Sequence, residues 1–472
     1  MPCLTDYLSQ PADPVAATQS ILAMIAADAP HGDLLLIFGM QPMWVAVGLL
    51  FLTYGAIMTE RLNRAIVALS GAVLMIASGI LNQHEAIAGI DFNTLGLLCG
   101  MMIIVSISRK SGIFEYLAIR AAKLAKGHPA GILALLGVVT AVVSALLDNV
   151  TTVLLVVPVT LVICSHLKVP PYPFLLSQVI ASNIGGTATL IGDPPNIIIG
   201  AGAGLSFNAF VSNLAPVILI ILVVHTLAIH LFWGKHLRST PAAQAWIMAL
   251  DERAAISDKT LLIKSLVVIG GVLVAFILAR HIGLESGTIG IAGATLMLLL
   301  DNLGKSADEQ TKGVTHVFNE VEWITLFFFI GLFVVVAGVE HTGFLKMLAD
   351  HLVAITGGDL KATGLGVLWA SALLSAIVDN IPFVATMIPL IKSMAPTFGG
   401  PEGLLPLWWA LSLGACLGGN GTLVGASANL TVAGIAERNG IPFRFLTYTK
   451  HAFPMMVVHI AVAHVYWVLR YL

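Results

Sequence analysis

The chain has 472 residues, 58% of them hydrophobic and only 10% charged, with a mean hydropathy of +0.94 and a formal net charge of −2. A soluble chain carries about 25% charged residues, so this much apolar surface requires lipid. The near-neutral balance argues against a nucleic-acid partner, and four scattered cysteines without CxxC spacing argue against a disulfide framework or a zinc site; no cofactor is expected.

Residues 1–40 read as a polar, irregular segment without the basic region of a signal peptide, so the first apolar helix is expected to remain as an anchor. A helix needs about 20 apolar residues to cross a bilayer, because every backbone group must be satisfied within it. Crossings are expected over 41–58, 64–81, 92–108, 214–234, 261–280, 286–300, 323–339 and 452–471. Two further stretches, 129–165 and 363–397, are each long enough for two helices and are interrupted by an Asp-Asn pair. Another two, 174–203 and 406–436, are broken by Gly-rich, hydroxyl-bearing sequence. Residues 114–126 and 344–353 read as amphipathic helices at the membrane surface.

The expected fold is therefore an all-α polytopic membrane protein with ten crossings and two re-entrant hairpins. That arrangement puts 18 of the 23 basic residues on one face and leaves Arg280, Lys346, Lys361, Lys392 and Arg470 on the other. By the positive-inside rule the rich face is cytoplasmic, which places the chain in the inner membrane with both termini external.

The chain also repeats itself. At an offset of 231, 7 of the 26 residues in 93–118 are identical to those in 324–349, and Ser144-Ala-Leu-Leu-Asp-Asn aligns with Ser375-Ala-Ile-Val-Asp-Asn. A two-residue slip then pairs Gly186, Thr189, Leu190, Gly192 and Asn196 with Gly419, Thr422, Leu423, Gly425 and Asn429. The first copy enters its hairpin from the cytoplasm and the second from outside. Inverted repeats with interrupted helices at matching places point to a midplane binding site in a transporter. The expected organisation is a first repeat over 41–234, a polar cytoplasmic linker over 235–264, a second repeat over 265–451 and a final crossing over 452–472.

Asp148 and Asp379 fall at the hairpin tips, each followed by an asparagine, Asn149 and Asn380. A carboxylate at depth costs roughly 2.5–3.5 kcal/mol on insertion scales, so it persists mainly where it faces a cavity and works; it can also cap the helix that follows. The glycine clusters around Gly186 and Gly419 permit unwound backbone, whose freed groups face solute beside Asn183, Thr187, Thr189, Asn196, Asn420, Thr422 and Asn429. Asp193 has Ala426 as its counterpart and is either a further titrating group or the cap of the resumed helix. No metal-binding residues and no catalytic constellation are indicated: HExxH, paired Gly-Asp motifs and a Ser-His arrangement are all missing, so the chain does not read as an enzyme.

The motifs Leu147-Asp-Asn-Val-Thr-Thr152, Val378-Asp-Asn-Ile-Pro-Phe383 and Gly185-Gly-Thr-Ala-Thr-Leu-Ile-Gly-Asp-Pro-Pro-Asn196 resemble those of the ArsB/NhaD family within the ion transporter superfamily. The resemblance implies a scaffold domain and a transport domain with two hairpins and two broken helices, moving elevator-fashion and often dimeric. It assigns the motif role to Asp148 and Asp379, with Asn149, Thr151, Thr152 and Asn380 beside them. It further implies proton-coupled antiport that exports arsenite or antimonite, with sodium/proton antiport as the alternative and an anion or dicarboxylate permease as the third choice. The unbranched Gly-Asp-Pro-Pro-Asn motif, closer to arsenical and pigmentation-type members, favours arsenite. The partners to consider are the inorganic solute, protons, the lipid bilayer, a second copy of the chain and a soluble ATPase subunit.

Overall fold

The computed structural model describes residues 40–59 and 61–472, within which 21 α-helices follow one another through short loops. The N-terminal segment expected over 1–40 lies, apart from Met40, outside the described residues. Among the described residues, eight helices are long and apolar enough to cross a membrane.

The first half runs α1 (Pro42–Met58), α2 (Arg64–Ala77), α3 (Gln83–Ala88), α4 (Phe92–Arg109), α5 (Ile113–Leu124), α6 (Pro129–Leu146), α7 (Asn149–Leu167), α8 (Tyr172–Thr187), α9 (Pro194–Ala203) and α10 (Phe207–Phe232). After α11 (Pro241–Ala249) the order recurs as α12 (Lys259–Ile282), α13 (Ser286–Asn302), α14 (Ala307–Asn319), α15 (Trp323–His341), α16 (Phe344–Thr356), α17 (Leu360–Ile377), α18 (Asn380–Ser393), α19 (Leu405–Gly418), α20 (Ser427–Arg438) and α21 (Phe445–Tyr471). Several helices differ from expectation: α10 begins at Phe207 rather than 214, and the short helices α3, α11 and α14 lie in stretches where none was expected. The last helix begins at Phe445 rather than 452, because its first two turns carry Lys450 and His451 and so escape an apolar criterion. Likewise α12 begins at Lys259, inside the stretch expected as linker, capped by Asp258 through the N–H groups of Thr260 and Leu261.

Helices α6 and α7 are long enough to cross singly, but their outer ends lie together. Gly127, just before α6, presses on the backbone of Gln244 in α11, and the ring of His166 at the end of α7 stacks on Trp246 of the same short helix with centroids 3.5 Å apart. The pair is a re-entrant hairpin. In the second half, Gly358 before α17 meets Thr397 just beyond α18 in the same manner. In the first broken helix, α8 starts where Tyr172 reaches Thr447 and His451, and α9 ends beside Phe276 and Arg280. Among the described residues this arrangement accommodates the expected ten crossings and two hairpins.

The halves interlock rather than sit side by side. Helix α2 packs on α15 and α4 on α13, while hairpin arm α7 packs on α20 and α18 on α9. Small residues make this possible: a Cβ on Gly100 would lie 2.4 Å from the carbonyl carbon of Gly290, and one on Gly331 at 2.4 Å from that of Ala68. Such close backbone approach is how membrane helices gain packing energy where lipid supplies no hydrophobic drive.

Candidate transport site

Each hairpin tip forms because the backbone turns extended at Leu147 and Val378, which ends one helix and leaves an aspartate to start the next. Asp148 Oδ1 accepts from the Thr151 N–H at 2.8 Å, and Asp379 Oδ1 from the Ile381 N–H at 3.0 Å. Each carboxylate is therefore a helix cap as well as a cavity-lining group. Asp193 precedes Pro194 at the start of α9 yet caps nothing. The N-termini of α7, α9, α18 and α20 thus converge from four directions, each with a positive partial charge from its unpaired N–H groups.

They enclose an inner recess of about 20 Å³ lined by Asp148, Asn149, Asp193, Pro194, Asn380 and Ser427, among others. That is room for about one water molecule. Asn149 Nδ2 bridges Asn183 Oδ1 at 2.9 Å and Asp193 Oδ1 at 3.1 Å. Asp193 Oδ2, Asn380 Nδ2, Thr152 Oγ1 and Asn420 Nδ2 are buried without a protein partner. For Asn380 the repeat explains this: at the positions matching Asn183 and Asp193, the second half carries Cys416 and Ala426, neither of which can accept as Asn183 and Asp193 do.

The remaining candidates stitch backbone together. Asn196 Nδ2 donates to the carbonyls of Thr187 and Thr189 at 3.1 and 2.9 Å, and Asn429 Nδ2 to those of Gly419 and Thr422, both at 2.8 Å. Each asparagine thereby satisfies carbonyls freed by the break in its own half. Asn183 Nδ2 crosses to Asn420 Oδ1 and Asn429 Oδ1, both at 2.9 Å, and joins the two breaks. The hydroxyls of Thr189 and Thr422 tie the breaks to hairpin carbonyls of Ala145 and Ala376, and Thr187 donates to Asn183 O. Gly186 is buried against backbone, its would-be Cβ 2.5 Å from Gly192 O. Cys416 also belongs to this layer, with Sγ 3.5 Å from Asn196 Oδ1.

A second, larger cavity of about 640 Å³ adjoins the recess, with Met58 and Leu62 in its lining. Its walls are α1, α2 and the start of α15 on one side, and Asp379, Pro382, Ser427 and Thr431 on the other. Five residues shared by the two cavities were not among the sequence candidates: Val150 and the polar residues Arg64, Glu322, Thr325 and Ser427. Arg64 reads in sequence as one more loop cation. Its signal is positional, since a basic residue in the first turn of a helix opposes the helix dipole and calls for a tertiary partner. Arg64 Nη1 donates to Ser427 Oγ at 2.7 Å and lies 3.8 Å from Asp379 Oδ2, while Nη2 donates to Thr325 Oγ1 at 3.0 Å.

A family description of citrate transporters matches residues 54–414 of this sequence. The chain belongs to the citrate transporter family. It is a membrane transporter, similar over 90% of its length to an uncharacterized transporter of Mycobacterium tuberculosis at 42% identity, covering 98% of that protein. It is 34% identical to the P protein of Homo sapiens over 89% of its own length and 59% of that protein's. Among solved structures the Alcanivorax borkumensis YdaH transporter, described as having an unusual topology, shares the fold with a TM-score of 0.58 at 12% identity, covering 91% of this chain and 99% of that one. The family match thus places the transporter among citrate transporters rather than specifically among arsenite pumps.

Proposed function

We propose that the chain is a secondary active transporter that carries a small carboxylate-bearing anion of the citrate class through the 640 Å³ cavity, coupled to protons or a small cation bound in the inner recess. The observation that carries this reading is the convergence of helix N-termini: those of α7, α18 and α20 reach the large cavity, and that of α9 joins them at the recess. Helix starts favour negative charge, and anions bind there readily. The three aspartates and Glu322 outnumber the one arginine, so an anion enters only together with protons or cations that neutralise them. A recess of about 20 Å³ suits such a coupling ion, and a cavity of about 640 Å³ lies within the usual range for small-molecule sites.

Asp193 is the foremost carrier of the coupling ion, having an oxygen free of protein partners; Asp148 and Asp379 assist from the tips. The hairpins and broken helices move as one body past α2, α4, α13 and α15, delivering the recess to either face. The basic face is cytoplasmic by the 18-to-5 bias, and both described ends of the chain face outward. Export of arsenite or antimonite by proton exchange is the second reading. It is favoured by the acidic, amide- and hydroxyl-lined walls, which suit an uncharged trihydroxy solute better than a multiply charged one.

The deciding experiment offers citrate, arsenite, antimonite and sodium separately to proteoliposomes under an imposed pH gradient. Citrate flux that moves protons with it supports the first reading. Arsenite flux against protons, with no citrate flux, replaces it with the second.

A further inference from the structure

Arg64 spans a boundary between two parts of the fold. Its backbone belongs to α2 and its guanidinium rests on α15, over the Phe328 ring at 5.3 Å and on Thr325 Oγ1. Its other amino group turns the opposite way, to Ser427 of α20 and Asp379 of the second hairpin. Thr325 in turn donates to Glu322 Oε2 at 3.0 Å, and Ser427 donates to Asp379 Oδ2 at 3.4 Å. One cation is therefore held between two carboxylates, Glu322 on the α2/α15 body and Asp379 on the body with the hairpins. The Arg64 side chain is 29% exposed and that of Asp379 only 14%, so the pair is partly withdrawn from water and an unpaired charge there is costly.

Resting on the transport reading above, we propose that Arg64 is a resident cation that stands in for the coupling ion at Asp379 in the unloaded carrier. When an ion binds at Asp379, the arginine is released to Thr325 and Glu322, and the hairpin body is freed from α2 and α15. When the ion leaves, Arg64 returns, so the empty carrier resets without an uncompensated carboxylate. The Arg64–Asp379 distance of 3.8 Å suits this role, being an ion pair without a direct hydrogen bond and hence easily exchanged, while Ser427 keeps the arginine in register. Tyr54 of α1, whose hydroxyl donates to Pro382 O at 2.8 Å, makes a second and uncharged contact between the same two bodies.

The test separates resetting from loaded transport. In proteoliposomes at saturating citrate, Arg64→Gln should slow net efflux of radiolabelled citrate by about tenfold more than it slows citrate/citrate exchange, which never requires an empty carrier to return. Arg64→Lys, which keeps the charge and loses the fork, should recover part of the net efflux. Equal loss of both fluxes, or loss of neither, overturns the proposal. A second measurement is independent of the solute: thermal melting of Arg64→Gln, Asp379→Asn and the double variant. A coupled pair makes the double variant no less stable than the worse single one, and additive shifts overturn the latch. If wild type moves no citrate, the solute assignment fails by itself, and the melting cycle still judges Arg64.

Discussion

Asn149 at the first hairpin tip donates through Nδ2 to Asp193 Oδ1 at 3.1 Å, a bond between the hairpin and the resumed half of the adjacent broken helix. Because Asp193 caps nothing and its Oδ2 has no protein partner, this amide is what aims the carboxylate into the recess. The two residues lie 44 positions apart, and their meeting makes the tip and the break one site.

Replacing Asp193 by Asn keeps its size and removes its charge. The variant should fold, retain the helix start at Pro194, and lose ion-coupled flux by about a hundredfold, the usual weight of a positioned proton-transfer group. Flux under an imposed pH gradient is the measurement, and coupled flux at the wild-type rate would remove Asp193 from the mechanism.

Asn196 and Asn429 are structural by the same standard. Truncating either to Ala strands two buried carbonyls and should cost about 2–5 kcal/mol in stability. The melting temperature in detergent should fall clearly for both. A variant that keeps its melting temperature but loses transport would instead place that asparagine on the solute.

The glycines divide sharply between contact and open space. A Cβ on Gly186 would meet Gly192 O at 2.5 Å, backbone against backbone, whereas Gly48 in α1 has nothing within 4 Å. Gly186→Ala should therefore prevent accumulation of folded protein, while Gly48→Ala should be neutral or slightly stabilising, by up to about 1 kcal/mol, through helix propensity. Expression monitored by fluorescence-detected size exclusion distinguishes them.

The linker carries its own pH response. Glu252 bonds to Lys123 and to Arg120 Nη1 at 3.0 Å, strapping residues 250–255 to α5, and the Lys123 ammonium holds its carboxyl down to about 2. A depressed carboxylate stabilises docking fully above its ordinary value near 4.5 and loses that contribution as pH falls toward 2. Trp246 emission, set by its stack on His166, should hold from pH 5.5 down to about 4.5 and change below it. Glu252→Gln should shift that emission already at neutral pH and speed tryptic cleavage after Arg253; an unchanged cleavage rate would mean the strap does not hold the linker.

Much of this architecture was legible in the residues themselves. The Asp-Asn pairs at 148–149 and 379–380, interrupting otherwise apolar stretches, and the glycine clusters at 185–192 and 418–425 stand out because lipid tolerates neither a charge nor unwound backbone without a reason. The repeat was visible for the same cause, since those polar landmarks recur in the same order. The sequence did not separate Asn149 and Asn380, which line the recess, from Asn183, Asn196 and Asn429, which stitch the breaks; all are asparagines beside glycines or aspartates.

What the sequence by itself determined is the count of crossings, the two hairpins and their tips, because the need to satisfy every backbone group inside a segment acts locally and leaves its mark on consecutive residues. Only the tertiary structure decided which polar side chain faces which neighbour. Arg64 becomes part of the site because α2 packs on α15 and brings it to Asp379 and Ser427, more than 300 residues away along the chain. Contacts of that range are set by the shapes of packed helices: a basic residue in the first turn of a helix calls for a partner, but nothing local to Arg64 says which.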